Sequence, residues 1–168
     1  ELFYVLNNTL SYVVMRNWSP LPDDYFFKSH GDIDIMVDSF RDAVWITKAE
    51  KIFQEPHRVH MNIKINNKNI PFDIRNVGDD YYDEKWQNNI LLNRVFDETR
   101  SIFIPSKEDY FYMLLYHGLI QKWKIKNEYI DELVKIIPEF QNTRFDYDEM
   151  NKVLGSYLNY KKYKVTKA

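Results

Sequence analysis

The segment Gly31-Asp32-Ile33-Asp34-Ile35-Met36-Val37 constrains this chain more than any other. It alternates at its start and is apolar and rich in β-branched residues towards its end, as a strand entering a sheet would be. Side chains two apart on a strand point to the same face, so Asp32 and Asp34 stand side by side. Carboxylates that close repel each other. A divalent cation such as magnesium relieves the repulsion, because it takes hard oxygen ligands and completes its shell with water and substrate phosphates. A two-metal clamp that stabilises attacking and leaving oxygens needs a further carboxylate from a neighbouring strand.

The rest of the chain supplies a place for one. Leu2, Phe3, Val5, Leu6 and Leu10 recur at helical spacing and predict a short opening helix, and Tyr12-Val13-Val14-Met15 reads as a buried strand ended by Arg16-Asn17-Trp18. Pro20, Pro22, Asp23 and Asp24 predict a loop. After the acidic strand an amphipathic pattern over residues 38–53 predicts a helix capped by Asp38 or Ser39. Met61, Ile63 and Ile65 then alternate with His60, Asn62 and Lys64, and the turn cluster Asn66-Asn67-Lys68-Asn69 leads into Ile70-Pro71-Phe72-Asp73-Ile74-Arg75, which predicts a hairpin. Asp73 lies inside its second arm between Phe72 and Ile74, where a charge is costly without a counter-ion: a metal, or a salt bridge with Arg75 or another base. Beyond Gly78-Asp79-Asp80 the pattern turns helical over 81–94, 106–123, 128–137 and 146–160, with Ser106-Lys107-Glu108-Asp109 as a capped first turn. The order predicts an α/β (α+β) fold, with an α/β core over 1–80 and a helical extension over 81–168 packed on it as one unit, which 168 residues can fill.

Gly31-Asp32-Ile33-Asp34-Ile35, followed by a helix, a strand pair and Asp73, resembles the polymerase-β-like nucleotidyltransferase superfamily, above all its broad bacterial and viral nucleotidyltransferase-like families. The similarity spans roughly residues 12–75, and Tyr112-Met113-Leu114-Leu115-Tyr116-His117 looks like the helical segment that often follows. LicD-like and fukutin-like phosphotransferases of glycans are relatives that also carry an Asp-x-Asp strand. The resemblance implies a small mixed sheet flanked by helices, with Asp32 and Asp34 binding Mg2+ or Mn2+ and Asp73 acting as metal ligand or as general base towards an acceptor hydroxyl. It implies transfer of a nucleotidyl or phosphoryl group from a nucleoside triphosphate or other phosphorylated donor to that hydroxyl. A sugar or glycan is the acceptor considered first, and a protein hydroxyl the next. Those enzymes usually carry Gly-Ser or Gly-Gly after the first strand, where backbone amides cradle the triphosphate. This chain has Arg16-Asn17-Trp18, in which Arg16 would contact phosphate in bidentate fashion and Asn17 would donate a hydrogen bond, with His30 and Gly31 completing the phosphate side. The departure also admits an inactive relative that binds a ligand or regulates an attached enzyme.

Other residues have plainer readings beside the functional ones. His30 touches a phosphate, shuttles a proton, or makes a local loop hydrogen bond. His117, among Leu114, Leu115, Leu119 and Ile120, reads as a satisfied core histidine. His57 and His60, three apart on a strand, fall on opposite faces and are set aside as ligands. Gly78 to Tyr82 and Trp86 read as a turn and a packed helix, or as a lip whose aromatics stack on a base or sugar. Lys122, Lys124 and Lys126 suit a helix end, and Lys161, Lys162, Lys164 and Lys167 a solvated tail. Asp32 and Asp34 could also merely cap and solvate a strand end.

A net charge of -2 and a pI near 6.1 give no global electrostatic case for nucleic acid. No window approaches the roughly 18 consecutive apolar residues of a membrane helix, so no membrane partner is expected. The absence of cysteine excludes disulfides and thiolate–zinc sites and leaves the compartment open, with a cytoplasmic location as the default. Glu1-Leu2-Phe3-Tyr4 has neither an initiator methionine nor a basic signal-like region, as in a chain cut from a larger protein with a partner domain.

Overall fold

The computed structural model describes residues 1–25, 31–55, 59–140 and 145–166, so His30, His57 and Lys167 lie outside the described residues. The chain divides into two compact units, Glu1–Pro105 and Ser106–Ala168.

The first unit is a mixed α/β fold. It opens with helix α1 (Leu2–Thr9), which buries Phe3 and Leu6, and strand β1 (Tyr12–Val14). Strand β2 (Ile33–Val37) pairs antiparallel with β1, Tyr12 facing Val37. Helix α2 (Phe40–Thr47) is capped by Ser39, whose hydroxyl accepts from the Asp42 N–H at 3.2 Å. This helix is shorter than the pattern to Phe53 predicts. Lys48 turns into the left-handed region with φ 54°, and Glu50–Lys51 become the short strand β3. Ile52 and Phe53 are exposed, so the residues that prolonged the helical period meet no core.

Strands β4 (His60–Ile65) and β5 (Lys68–Asn76) form the expected hairpin. Asn66 and Asn67 both have positive φ, at 51° and 64°, the pairing that a type I′ turn demands and that asparagine tolerates. The sheet runs in the order β1-β2-β5-β4-β3, and β2 lies parallel to β5 while its other described pairings are antiparallel. Strand alternation then sorts its faces. Ile33, Ile35, Val37, Met61, Ile63, Ile70, Phe72 and Ile74 join Phe3 and Leu6 of α1 and Ala43 of α2 in one buried cluster. Each large apolar side chain buried there contributes about 1.5–3 kcal/mol. The strand residues that alternate with them, Asp34, Asp73 and His60, fall on the opposite face, with Asp32 just before β2.

Helix α3 (Glu84–Leu92) begins later than the helical pattern from residue 81 predicts, because Asp83 caps it, accepting from the Lys85 N–H at 2.8 Å. A second hairpin follows, β6 (Val95–Asp97) and β7 (Ile102–Ile104). The Phe103 N–H donates to the Tyr12 hydroxyl of β1 at 3.2 Å, and Ile102 enters the sheet core. These contacts carry the first unit to Pro105, past the change in pattern near residue 80 that suggested a boundary.

In the second unit Ser106 caps helix α4 (Lys107–Tyr116), accepting from the Asp109 N–H at 3.2 Å. The helix continues into a π-helical turn, His117–Gln121. His117 is buried, with Nδ1 2.9 Å from Gln121 Oε1 and its ring edge-on to Tyr129, as a core histidine would be. Helices α5 (Asn127–Phe140) and α6 (Tyr147–Lys161) complete the unit, and the rings of Tyr112 and Tyr157 stack between α4 and α6. Gly118 is required by close approach, since a Cβ there would lie 2.3 Å from the Ile125 side chain. No helix among the described residues is long and apolar enough to cross a membrane.

Candidate metal centre

The parallel pairing of β2 with β5 sets Asp34 directly beside Asp73. Asp32 immediately precedes β2, and one of its carboxylate oxygens lies within 4.8 Å of a ligand atom of Asp73. The sheet therefore brings together the carboxylates that the sequence singled out. All of them are partly buried, with 18% of the side-chain surface exposed for both Asp34 and Asp73.

The antiparallel pairing of β4 with β5 adds a residue that the sequence reading set aside. His60 stands opposite Asp73, with Nε2 3.4 Å from Asp73 Oδ1. One ligand atom each from Asp32, His60 and Asp73 fall within 4.8 Å of one another. Excluding His60 because it alternates with His57 considered its own strand and not the strand across the hairpin. The signal was present: a two-residue turn at Asn66-Asn67 pairs Ile65 with Lys68, and counting outward equally along both arms pairs His60 with Asp73.

Burial and the neighbouring like charges act together on Asp73. Burial, then the Asp34 and Asp32 carboxylates, raise the Asp73 carboxyl from its ordinary value to about 6, against the opposing pull of His60 and Arg75. Asp73 Oδ1 is buried and makes no hydrogen bond among the described residues, with His60 Nε2 beside it at 3.4 Å. A divalent cation fits this donor set: two carboxylates would balance its charge, and imidazole is a common ligand for several such ions.

Arg16 has a different place from the one expected. It follows β1, is 4% exposed, and sets Nη2 3.2 Å from Asp34 Oδ2 and 3.0 Å from the Tyr81 hydroxyl. The Met15 N–H donates to the Asp34 carbonyl at 2.9 Å, which carries β1's pairing up to this point. Asn17 then takes a left-handed φ of 58°, a conformation that glycine adopts freely and asparagine tolerates. The backbone thus bends just past the first strand without a glycine. Gly31 is exposed, and a Cβ there would meet nothing within 4 Å, so packing does not require glycine at that position.

The residues after β5 brace the site. Gly78 has φ 89°, and its N–H donates to Gln87 Oε1 at 2.7 Å. Asp79 Oδ1 accepts from the Tyr81 N–H and from Gln87 Nε2, both at 2.9 Å, and Oδ2 lies 3.7 Å from Arg75 Nη1. Arg75 stacks on the Tyr81 ring at 4.1 Å. Arg75 thus pairs with Asp79, and the base beside Asp73 is His60. Tyr82 and Trp86 are fully buried, which favours the packed-helix reading of those two over a stacking lip. No family model, curated protein or solved structure matches this chain.

Proposed function

We propose that this protein catalyses divalent-metal-dependent transfer of a nucleotidyl or phosphoryl group to a hydroxyl, in the manner of the polymerase-β-like nucleotidyltransferases. The observation that carries the reading is the registered pair Asp34 and Asp73 on adjacent parallel strands, with ligand atoms of Asp32 and Asp73 within 4.8 Å of each other. Asp32, Asp34 and Asp73 would hold Mg2+ or Mn2+. The bound ion would polarise donor phosphoryl oxygens and offset charge developing on them.

The chain's own residues do the rest. Asp73, beside Asp34 and largely shielded from water, would accept the proton of an acceptor hydroxyl. Arg16 holds the Asp34 carboxylate in orientation at the end of β1, on the side proposed for the donor. Asn17 supports the same placement, since its left-handed backbone makes the bend for which related enzymes use glycine. The donor is a nucleoside triphosphate or another phosphorylated compound, and a sugar or glycan hydroxyl is the acceptor to try first.

A non-catalytic domain of the same fold is the second reading, favoured by the engagement of Asp34 with Arg16, which neutralises a carboxylate that a catalytic site would use. Incubation with α- and γ-labelled nucleoside triphosphates, Mg2+ or Mn2+ and a panel of sugars distinguishes the two. Metal-dependent label transfer that Asp73→Asn abolishes is the expected outcome, with the label's position telling nucleotidyl from phosphoryl transfer. Metal and nucleotide binding without turnover for any donor or acceptor class would favour the non-catalytic domain.

A further inference from the structure

We infer that His60 joins Asp32 and Asp73 in a mixed oxygen–nitrogen cation site that prefers manganese(II) or zinc to magnesium. The inference rests on the transferase reading for the use of the site, and on the geometry for its existence.

The hairpin builds the nitrogen into the site. The type I′ turn at Asn66-Asn67 fixes the register that sets His60 across from Asp73, so the imidazole reaches the carboxylate face from a third strand. Ligand atoms of Asp32, His60 and Asp73 already lie within 4.8 Å of one another. A cation about 2.0–2.2 Å from each donor could join them after a small closure of side chains. Asp34 is the less available carboxylate, because Arg16 holds it at 3.2 Å. Asp73 Oδ1 is buried without a hydrogen bond, and the nearest base is His60 Nε2 at 3.4 Å. A buried carboxylate oxygen without a hydrogen bond is unfavourable, and a cation bound between Asp73 Oδ1 and His60 Nε2 would give it a ligand bond.

The donor set then decides selectivity. Magnesium favours oxygen ligands and near-ideal octahedral geometry, whereas imidazole suits softer ions such as zinc, and manganese accepts both oxygen and nitrogen. Two carboxylates balance the divalent charge, and three protein ligands leave positions for water or a phosphate oxygen.

Electron paramagnetic resonance of the full chain titrated with manganese(II), with magnesium and zinc as competitors, tests this directly. Manganese should bind with nitrogen coupling in its spin-echo modulation, zinc should displace it at comparable concentration, and magnesium should need at least about tenfold more. In His60→Gln the nitrogen coupling should vanish and manganese affinity should fall by about ten- to a hundredfold, with little change for magnesium. The wild-type coupling needs no variant, so the test stands even where His60→Gln fails to fold. Bound manganese without nitrogen coupling would overturn the inference and leave an oxygen-only transferase site intact. Nitrogen-coupled manganese without any transfer activity would uphold the inference and count against the transferase reading. No manganese binding at all would overturn both.

Discussion

Phe72 and Asp73 are neighbours on β5 and meet opposite surroundings. Phe72 is fully buried among Ile33, Met61 and Ile70 on one face of the sheet, while Asp73 stands on the other face beside Asp34 and His60. The two faces do different work. The apolar face supplies stability through burial, and the acidic face stores a cost, because half-buried carboxylates of like charge are held close by strands that the other face keeps in place. A binding site that is destabilising when empty is common where function requires a ligand, and it implies that substitutions on the two faces should act in opposite directions.

The largest effect expected is on the apolar face. Phe72→Ala should destabilise the protein by about 3–5 kcal/mol in urea unfolding; a loss under 1 kcal/mol would break the assignment of that face as the core. Next comes Arg16→Gln, which strips the Asp34 carboxylate of its guanidinium partner. Complete burial would make that cost about 3–5 kcal/mol, and the partial exposure of Asp34 reduces it to about 2 kcal/mol.

The opposite sign belongs to Asp73→Asn, which removes one of the clustered charges. Without metal this variant should be more stable at pH 7 by about 1 kcal/mol, a figure already discounted for solvent screening. The pH dependence follows from the raised carboxyl. The folded protein holds the Asp73 proton more tightly than the unfolded chain, so between the ordinary value of 3.8 and about 6 the folded state binds more protons, and this group's contribution to stability falls as pH rises. The wild type should lose stability across that window relative to Asp73→Asn in parallel melts; matching profiles would show that the like-charge cost is absent. The smallest effect is at the turn that sets the register. Asn67→Gly, at φ 64°, should stabilise by a few tenths of a kcal/mol, read as a small shift in the urea midpoint.

Much of this architecture was legible in short-range patterns. Asp32 and Asp34 could be placed on one face because strand alternation is local, and the hairpin could be read from Asn66-Asn67. That Asp34 and Asp73 come into register needed a parallel pairing between β2 and β5, which no local period encodes, so its basis was the resemblance. His60 was lost for the opposite reason: its pairing was computable from the turn, but its face was judged against His57. The hairpin of β6 and β7 escaped notice because arms of three residues show almost no period, and its anchor is a bond to the distant Tyr12 hydroxyl. The early end of α2 was hidden because the left-handed turn falls on Lys48, a residue type that carries no turn signal.

The central claim is that the acidic face of the sheet is a cation site. Thermal unfolding of the wild type and of Asp73→Asn, each at pH 7 with and without manganese, tests it most directly. The wild type should start less stable than the variant, and manganese should raise its melting temperature while leaving Asp73→Asn nearly unmoved. A wild type that is indifferent to manganese at millimolar concentration would contradict the account.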